Sequence, residues 1–216
     1  MISVRTIAYG FLGQRTLQRM SQRFWSRASD TFVASAGYYE NREKELDSLL
    51  RSMPAINRAL DQGCGDGRFT AIVAKHAKLV DAFDISSDLI ASARKRNLEN
   101  VCFEARELES SPKAKYDLVT CMGVLSCIHE DEKYNRVLDL LTDCVSSPGY
   151  LLLVDTVTLK HKDVIRAYKH GHIGKYRNHE AYLSNVMARG FDLSSTNTLA
   201  DWSSTLSNRM WLFRRK

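Results

Sequence analysis

Residues 58 to 71 read RALDQGCGDGRFTA. Gly63, Gly65 and Gly67 alternate with Cys64 and Asp66, and Asp61 stands two positions before them. Glycine at such points lets backbone amides approach a ligand closely and permits dihedral angles that a side chain forbids. Three ligand chemistries compete for a loop of this kind. A phosphate-cradling loop needs Gly-Lys-Ser/Thr after its glycines, and here Arg68 and Phe69 follow Gly67. A dinucleotide fingerprint spaces its glycines G-x-G-x-x-G; this loop reads G-x-G-x-G, and its aspartates are poor neighbours for a pyrophosphate. A ligand with cationic groups and no phosphate fits better. Asp84 closes the stretch LVDAFDIS, 21 residues after Gly63. A carboxylate at that separation can accept two hydrogen bonds from a ribose diol. Loop and acid together specify a nucleoside that carries positive charge.

The flanking pattern places both features at strand ends. YYENREKELDSLLRSM has Leu46, Leu49, Leu50 and Met53 at helical spacing, and Pro54 stops it. AINRAL predicts a first strand, FTAIVAKHA a helix, KLVDAFDIS a second strand, SDLIASARKRN a capped helix and NVCFEA a third strand. KYDLVTCMGVL predicts the fourth strand, EDEKYNRVLDLLTDCV a helix with acids in its first turn, and SPGYLLLVDTV a fifth strand buried on both faces. Residues 159–179 lack a regular pattern; then come a helix in NHEAYLSNVMARG, with Gly190 as its cap, and edge strands in FDLSSTNTL and NRMWLFRRK. Alternating strands and helices mean an α/β doubly wound, mostly parallel sheet. In such a sheet, ligands bind at the strands' C-terminal ends beside the switch in strand order.

From about Tyr38 to Phe191 the chain resembles the class I S-adenosylmethionine-dependent methyltransferases. LDQGCGDGRF looks like the family's first motif, DAFDISSDLIASARKR like its ribose-acid strand and helix, and YDLVTCMGVLSCIHEDE like its fourth strand and the segment after it. SPGYLLLVD is similar to the fifth-strand motif, with Tyr150 where the family often has glycine. The resemblance implies a seven-stranded Rossmann-like fold, with residues 1–37 as an N-terminal helical segment and 38–216 as the cofactor-binding domain. It implies that Gly63, Gly65 and Asp61 line the methionine part of S-adenosylmethionine, with Cys64 and Gly67 also among the cofactor-binding residues. Asp84 would hold the ribose, Ile85 would pack on the adenine, and Cys121 and Met122 would pass beneath the sulfonium. Arg42 is a candidate for the cofactor carboxylate; its plain alternative is a surface arginine beside Glu43 and Glu45. The family's usual acid after the third strand is missing from FEARELE, so Arg106, Glu107 or a backbone carbonyl must serve the adenine.

Methyl transfer from a sulfonium needs alignment and, for a hydroxyl acceptor, a base. His161, His170, His172 and His179 cluster among Tyr168, Tyr176 and Tyr182, and His129 follows the fourth strand. Imidazole titrates near neutrality, so His161, His172 and His129 are the candidates for the base, against the plain alternative of surface histidines. The spacing of His170, His172 and His179 matches no standard metal-ligand pattern, so no metal is expected. Trp25, Tyr38 and Tyr39 are candidate walls for the acceptor. The acceptor expected is a small molecule or a glycan- or lipid-linked one, methylated on oxygen or nitrogen. The alternatives are a non-catalytic cofactor-binding scaffold and an RNA or protein methyltransferase.

Composition supports this frame. The 216 residues are 44% hydrophobic and 26% charged, ordinary for a globular protein. Five scattered cysteines without a C-x-x-C pair suggest reduced thiols, and hence a cytoplasmic setting. No secretory signal is evident in the sequence. Arg5, Arg15, Arg19, Arg23 and Arg27 supply +5 of the net +6 within an acid-free residues 1–29. The rest is near neutral and offers no nucleic-acid face. The basic segment suits an organellar transit peptide, a peripheral contact with an anionic membrane, or a packed helix with a solvated arginine edge. Leu17, Met20 and Phe24 would form its apolar face.

Overall fold

The computed structural model describes residues 12–29, 36–110, 114–168 and 171–216. Arg5 and His170 lie outside the described residues. The order of elements is α1 (Gln14–Trp25), α2 (Ala36–Arg51), β1 (Ile56–Gln62), α3 (Thr70–His76), β2 (Ala77–Asp84), α4 (Ser87–Arg94), β3 (Val101–Ala105), β4 (Tyr116–Met122), α5 (Asp131–Cys144) and β5 (Val145–Thr158). A hairpin of β6 (Val164–Ala167) and β7 (Ile173–Tyr176) follows, then α6 (His179–Met187), β8 (Phe191–Ser203) and β9 (Leu206–Arg215). Short 3₁₀ turns occupy Leu108–Ser110 and Leu125–Cys127.

Seven strands form one sheet in the order β3-β2-β1-β4-β5-β9-β8. β1 pairs in parallel with both β2 and β4, and β9 runs antiparallel to its neighbours β5 and β8. The alternation of side chains along β5 explains its unbroken apolar run. Leu151 and Leu153 join the core under α5 and α6, while Leu152 and Val154 join the core under α2 and α3. Because the chain runs outward from β1 through β2 to β3 and then returns to β4, the crevice opens at the tips of β1 and β4.

Two elements cover that crevice. The irregular 159–179 stretch forms the β6–β7 hairpin, which its sequence did not announce: four-residue strands give too few alternations to register as a pattern. The second cover is α1, and its packed face differs from the one expected. Leu17, Gln18 and Ser21 are buried, whereas Met20 is exposed and Phe24 only half-buried. Polar contacts decide the orientation. Gln18 Oε1 accepts from the backbone N–H of His129 at 2.7 Å, and Ser21 Oγ donates to the Cys127 carbonyl at 2.8 Å. Gln14 Nε2 donates to Asp131 at 2.8 Å. The loop after β4 presents unpaired backbone groups, and a glutamine–serine face satisfies them where an apolar face cannot. No described helix is long and apolar enough to cross a membrane.

Candidate active site

A cavity of about 420 Å³ lies over the tips of β1, β2, β4 and β5, beneath α1 and the hairpin. Its floor on one side is the glycine turn. The backbone N–H of Gly63 and that of Cys64 both donate to the Phe83 carbonyl, at 2.7 and 2.9 Å, tying the turn to β2. Gly63 has φ +80°, and a Cβ there would lie 2.2 Å from Val124 Cγ2, so the loop after β4 closes directly on it. Asp84 is aimed into the same cavity. One carboxylate oxygen accepts from Gly65 N–H and the other from Ser86 N–H, each at 2.9 Å. Burial raises its pKa, and hydrogen bonds from Ser86, Gly65 and Ile85 oppose that rise.

The residues expected around a cofactor separate into three groups. Gly63, Cys64, Gly65, Asp84, Ile85, Met122, Arg42 and Arg106 all line the cavity. Arg106 does so with its guanidinium engaged elsewhere, 2.8 Å from Glu104 and 4.6 Å above the Phe83 ring. Asp61, Gly67 and Cys121 lie outside the lining. Asp61 is fully buried and accepts from Thr70 Oγ1 at 2.6 Å and Thr120 Oγ1 at 2.8 Å, pinning β1 to α3 and β4. Cys121 points into the core on the sheet's other face, because side chains alternate along β4 and Met122 takes the cavity side. A Cβ on Gly67 would sit 3.0 Å from both Ala93 and Phe103, so this glycine permits close packing on α4 and β3 instead of ligand contact.

Arg42 is the clearest sign of an occupant. It is 5% exposed, its guanidinium stacks 4.1 Å over the Phe69 ring, and its Nε and Nη2 are buried without a hydrogen-bond partner. A buried cation with unspent donors is costly unless something anionic meets it. A carboxylate would satisfy it.

The other end of the cavity is aromatic. Trp25 meets His172 edge-on at 5.3 Å, and Tyr168 stacks on the same imidazole at 5.3 Å. Tyr168 and Tyr176 share a hydrogen bond between their hydroxyls. On the opposite wall Tyr38 donates to Asn208 at 2.9 Å, while Asn208 and Trp202 both donate to Thr156 Oγ1, at 3.0 and 3.1 Å. Of the candidate bases, His172 lines this end. Its Nδ1 is buried without a partner, and burial pushes its pKa down to about 4, so the ring is neutral at physiological pH. His129 is fully buried and donates from Nε2 to the Ile173 carbonyl at 3.2 Å, tying the β4 loop to β7. His161 sits on an exposed turn between β5 and β6, away from the lining.

Asp155 is a functional candidate that motif spacing does not single out. It lines the cavity within β5, one residue beyond the last pairing of that strand with β4, Met122 with Val154. Its carboxylate accepts from Ser126 N–H and Tyr182 Oη, both at 3.3 Å, and Ser126 also donates through its side chain. Burial raises its pKa to about 6. A carboxylate closing an otherwise apolar strand, as in YLLLVDTV, was the available signal. Among the described residues, no group of three His, Cys, Asp or Glu side chains is placed to hold a metal ion.

With this geometry established, comparison with known proteins defines the class. A family model described as "Methyltransferase domain" matches residues 16–200. The chain therefore belongs to the methyltransferase domain family. It is 24% identical over 122 residues to nodulation protein S of Azorhizobium caulinodans, covering 56% of this chain and 59% of that one. It is 25% identical over 138 residues to the ubiquinone biosynthesis O-methyltransferase of Coxiella burnetii, covering 61% and 53%. The aligned stretches span little more than half the length of these curated relatives. Among solved structures, the N-methyltransferase NodS of Bradyrhizobium japonicum, in complex with S-adenosyl-L-homocysteine, superposes with a TM-score of 0.69 at 17% identity, covering 94% and 97% of the two chains. At that identity the likeness concerns the fold.

Proposed function

We propose that the protein is an S-adenosylmethionine-dependent methyltransferase acting on an oxygen or nitrogen of a small acceptor, free or glycan- or lipid-linked. The observation that carries this reading is the convergence of three features on one cavity: the Gly63–Gly65 turn, the Asp84 carboxylate and the buried Arg42 guanidinium with its Nε and Nη2 donors unspent. The residues present fit the cofactor piece by piece. Arg42 would take its carboxylate, Asp84 its ribose hydroxyls, and Ile85 with Leu108 would flank the adenine. Residues 38–216 then form the cofactor domain, and α1 from the preceding segment supplies a cap. The names of the relatives, an O-methyltransferase of ubiquinone biosynthesis and an N-methyltransferase, favour small acceptors over nucleic acid or protein.

When bound, the cofactor supplies an activated methyl group on a sulfonium, and the protein supplies alignment, exclusion of water and proton removal. The aromatic walls of Trp25, Tyr168, Tyr176 and Trp202 hold an acceptor by its apolar surface and shut out water. His172, kept neutral by burial, accepts the proton that the acceptor loses. Asp155, in β5 just past its pairing with β4, orients an acceptor O–H or N–H donor. Titration calorimetry with S-adenosyl-L-homocysteine tests the core of this reading. Binding is expected for the wild type and should weaken roughly 10- to 100-fold in Asp84→Asn, which keeps the side-chain shape but loses the charge-assisted hydrogen bonds. No heat of binding in the wild type would refute it.

A further inference from the structure

Helix α1 has a second face that the cofactor and acceptor do not use. Arg15, Arg19 and Arg23 recur every four residues and so stack along one side of the helix, over about 12 Å. Arg27 continues the line beyond the helix end. All four are exposed, and none has a hydrogen bond or ion pair through its side chain among the described residues. Exposed apolar side chains accompany them: Leu12 at 39% and Met20 at 37%. Arg15 shares a shallow depression with Glu130, Asp131 and Glu132, which offset its charge; Arg19, Arg23 and Arg27 lie past those acids. The inner face of the same helix is committed through Gln18 and Ser21 to the loop after β4, so the outer face is held in one orientation.

We infer that this outer face of α1 docks on an anionic lipid bilayer. Two observations select a bilayer over a polynucleotide. Guanidinium groups suit either partner, but Leu12 and Met20 gain nothing from a phosphate backbone, whereas the headgroup–acyl boundary takes arginines and apolar side chains together. The charge is also local. With the rest of the chain near neutrality, the arginine line gives one short contact and not the extended track that a polynucleotide needs. One helix of this length binds reversibly and does not anchor. Docking leaves the cavity about one helix diameter from the lipid headgroups, within reach of a lipid-linked acceptor.

Sedimentation of the full chain with phosphatidylcholine vesicles, with and without phosphatidylglycerol, tests the inference. Binding is expected only to the anionic vesicles, and it should fall as salt rises. Each surface arginine is worth about fivefold in partitioning near such a membrane. The triple variant Arg19→Gln, Arg23→Gln, Arg27→Gln should therefore lose on the order of 100-fold, and Arg15→Gln less than fivefold. Equal binding to neutral vesicles, binding unaffected by the triple variant, or absence of binding at low salt overturns the inference. So does a single-stranded RNA that binds the arginine line when the vesicles do not. Binding of S-adenosyl-L-homocysteine by the triple variant should equal that of the wild type, since none of the arginines lines the cavity. That readout also separates the two readings: if the wild type binds vesicles but not S-adenosyl-L-homocysteine, the methyltransferase proposal fails and the docking surface stands.

Discussion

At the scale of single residues, identity does not fix role; the face on which a side chain emerges does. Asp61 is a fully buried and Asp84 a half-buried carboxylate at a strand end, and burial raises the pKa of each. Asp61 spends its oxygens on Thr70 and Thr120 and sets the base of the turn, whereas Asp84 keeps a side open to the cavity. Spacing alone marks both as ligand contacts; what separates them is whether nearby hydroxyls reach the carboxylate first. The same argument sorts the histidines. His172, His129 and His161 are equal candidates in the sequence, because the direction of a loop side chain depends on tertiary contacts such as the stacking of Tyr168 on His172. A measurement distinguishes them. Once an acceptor is found by labelled-methyl screening, His172→Gln should lower kcat by about 10²- to 10⁴-fold, with cofactor affinity unchanged. His161→Gln should leave kcat as it is. Because burial holds the His172 pKa near 4, loss of its proton-accepting form should appear only as pH falls toward that value, and not between pH 6 and 8. A full rate in His172→Gln removes it from the chemistry.

At the scale of elements, legibility followed length and local signals. The helices and the parallel strands were readable because each carries a periodic apolar face and a cap or breaker, such as Ser86 accepting from Leu89 N–H at 3.2 Å or Pro54 after α2. The β6–β7 hairpin was not readable, and the orientation of α1 was misread because its contacts to the body are polar. Apolar periodicity locates the buried side of a helix only when burial is driven by the hydrophobic effect. Here the demand comes from backbone N–H groups of the β4 loop, met by Gln18. Replacing Gln18 with Ala leaves the N–H of His129 buried and unpaired, at a cost of about 1–3 kcal/mol. The expected outcome is a lower urea midpoint and faster proteolytic cleavage within residues 12–29, while the sheet stays intact. Gln18→Glu keeps an acceptor at the same position and should recover most of the loss. Unchanged cleavage in Gln18→Ala would show that the other contacts of the helix, through Leu17, Ser21 and Gln14, hold it without Gln18.

At the scale of the whole molecule, the site is maintained against the stability of the fold. A carboxylate as buried as Asp155, 1% exposed and held by Ser126 and Tyr182, is a group that an unspecialised core would exclude. Its folded-state pKa of about 6 lies above the value of roughly 3.9 for an unfolded aspartate. Between those values the native state binds more protons than the unfolded chain. This residue's contribution is therefore most favourable below about pH 4, declines as pH rises toward 6, and is flat above that. Integrated over the interval, the penalty is on the order of 3 kcal/mol, a sizeable share of the net stability of a domain. Other groups titrate in the same range, so the clean measurement is a difference. Urea unfolding of wild type and Asp155→Asn is followed from pH 4 to 7.5, and the gap between them should move by about 2–3 kcal/mol in favour of the variant as pH rises. The variant should also transfer methyl groups more slowly, because Asn cannot hold an acceptor donor with a full negative charge. A pH-independent gap would mean that the carboxylate is already relieved by Arg42 and Arg177, whose fields oppose the shift. A gap that moves together with lost turnover would identify Asp155 as a group kept for the reaction at the expense of the fold, the usual relation between an active site and the core that supports it.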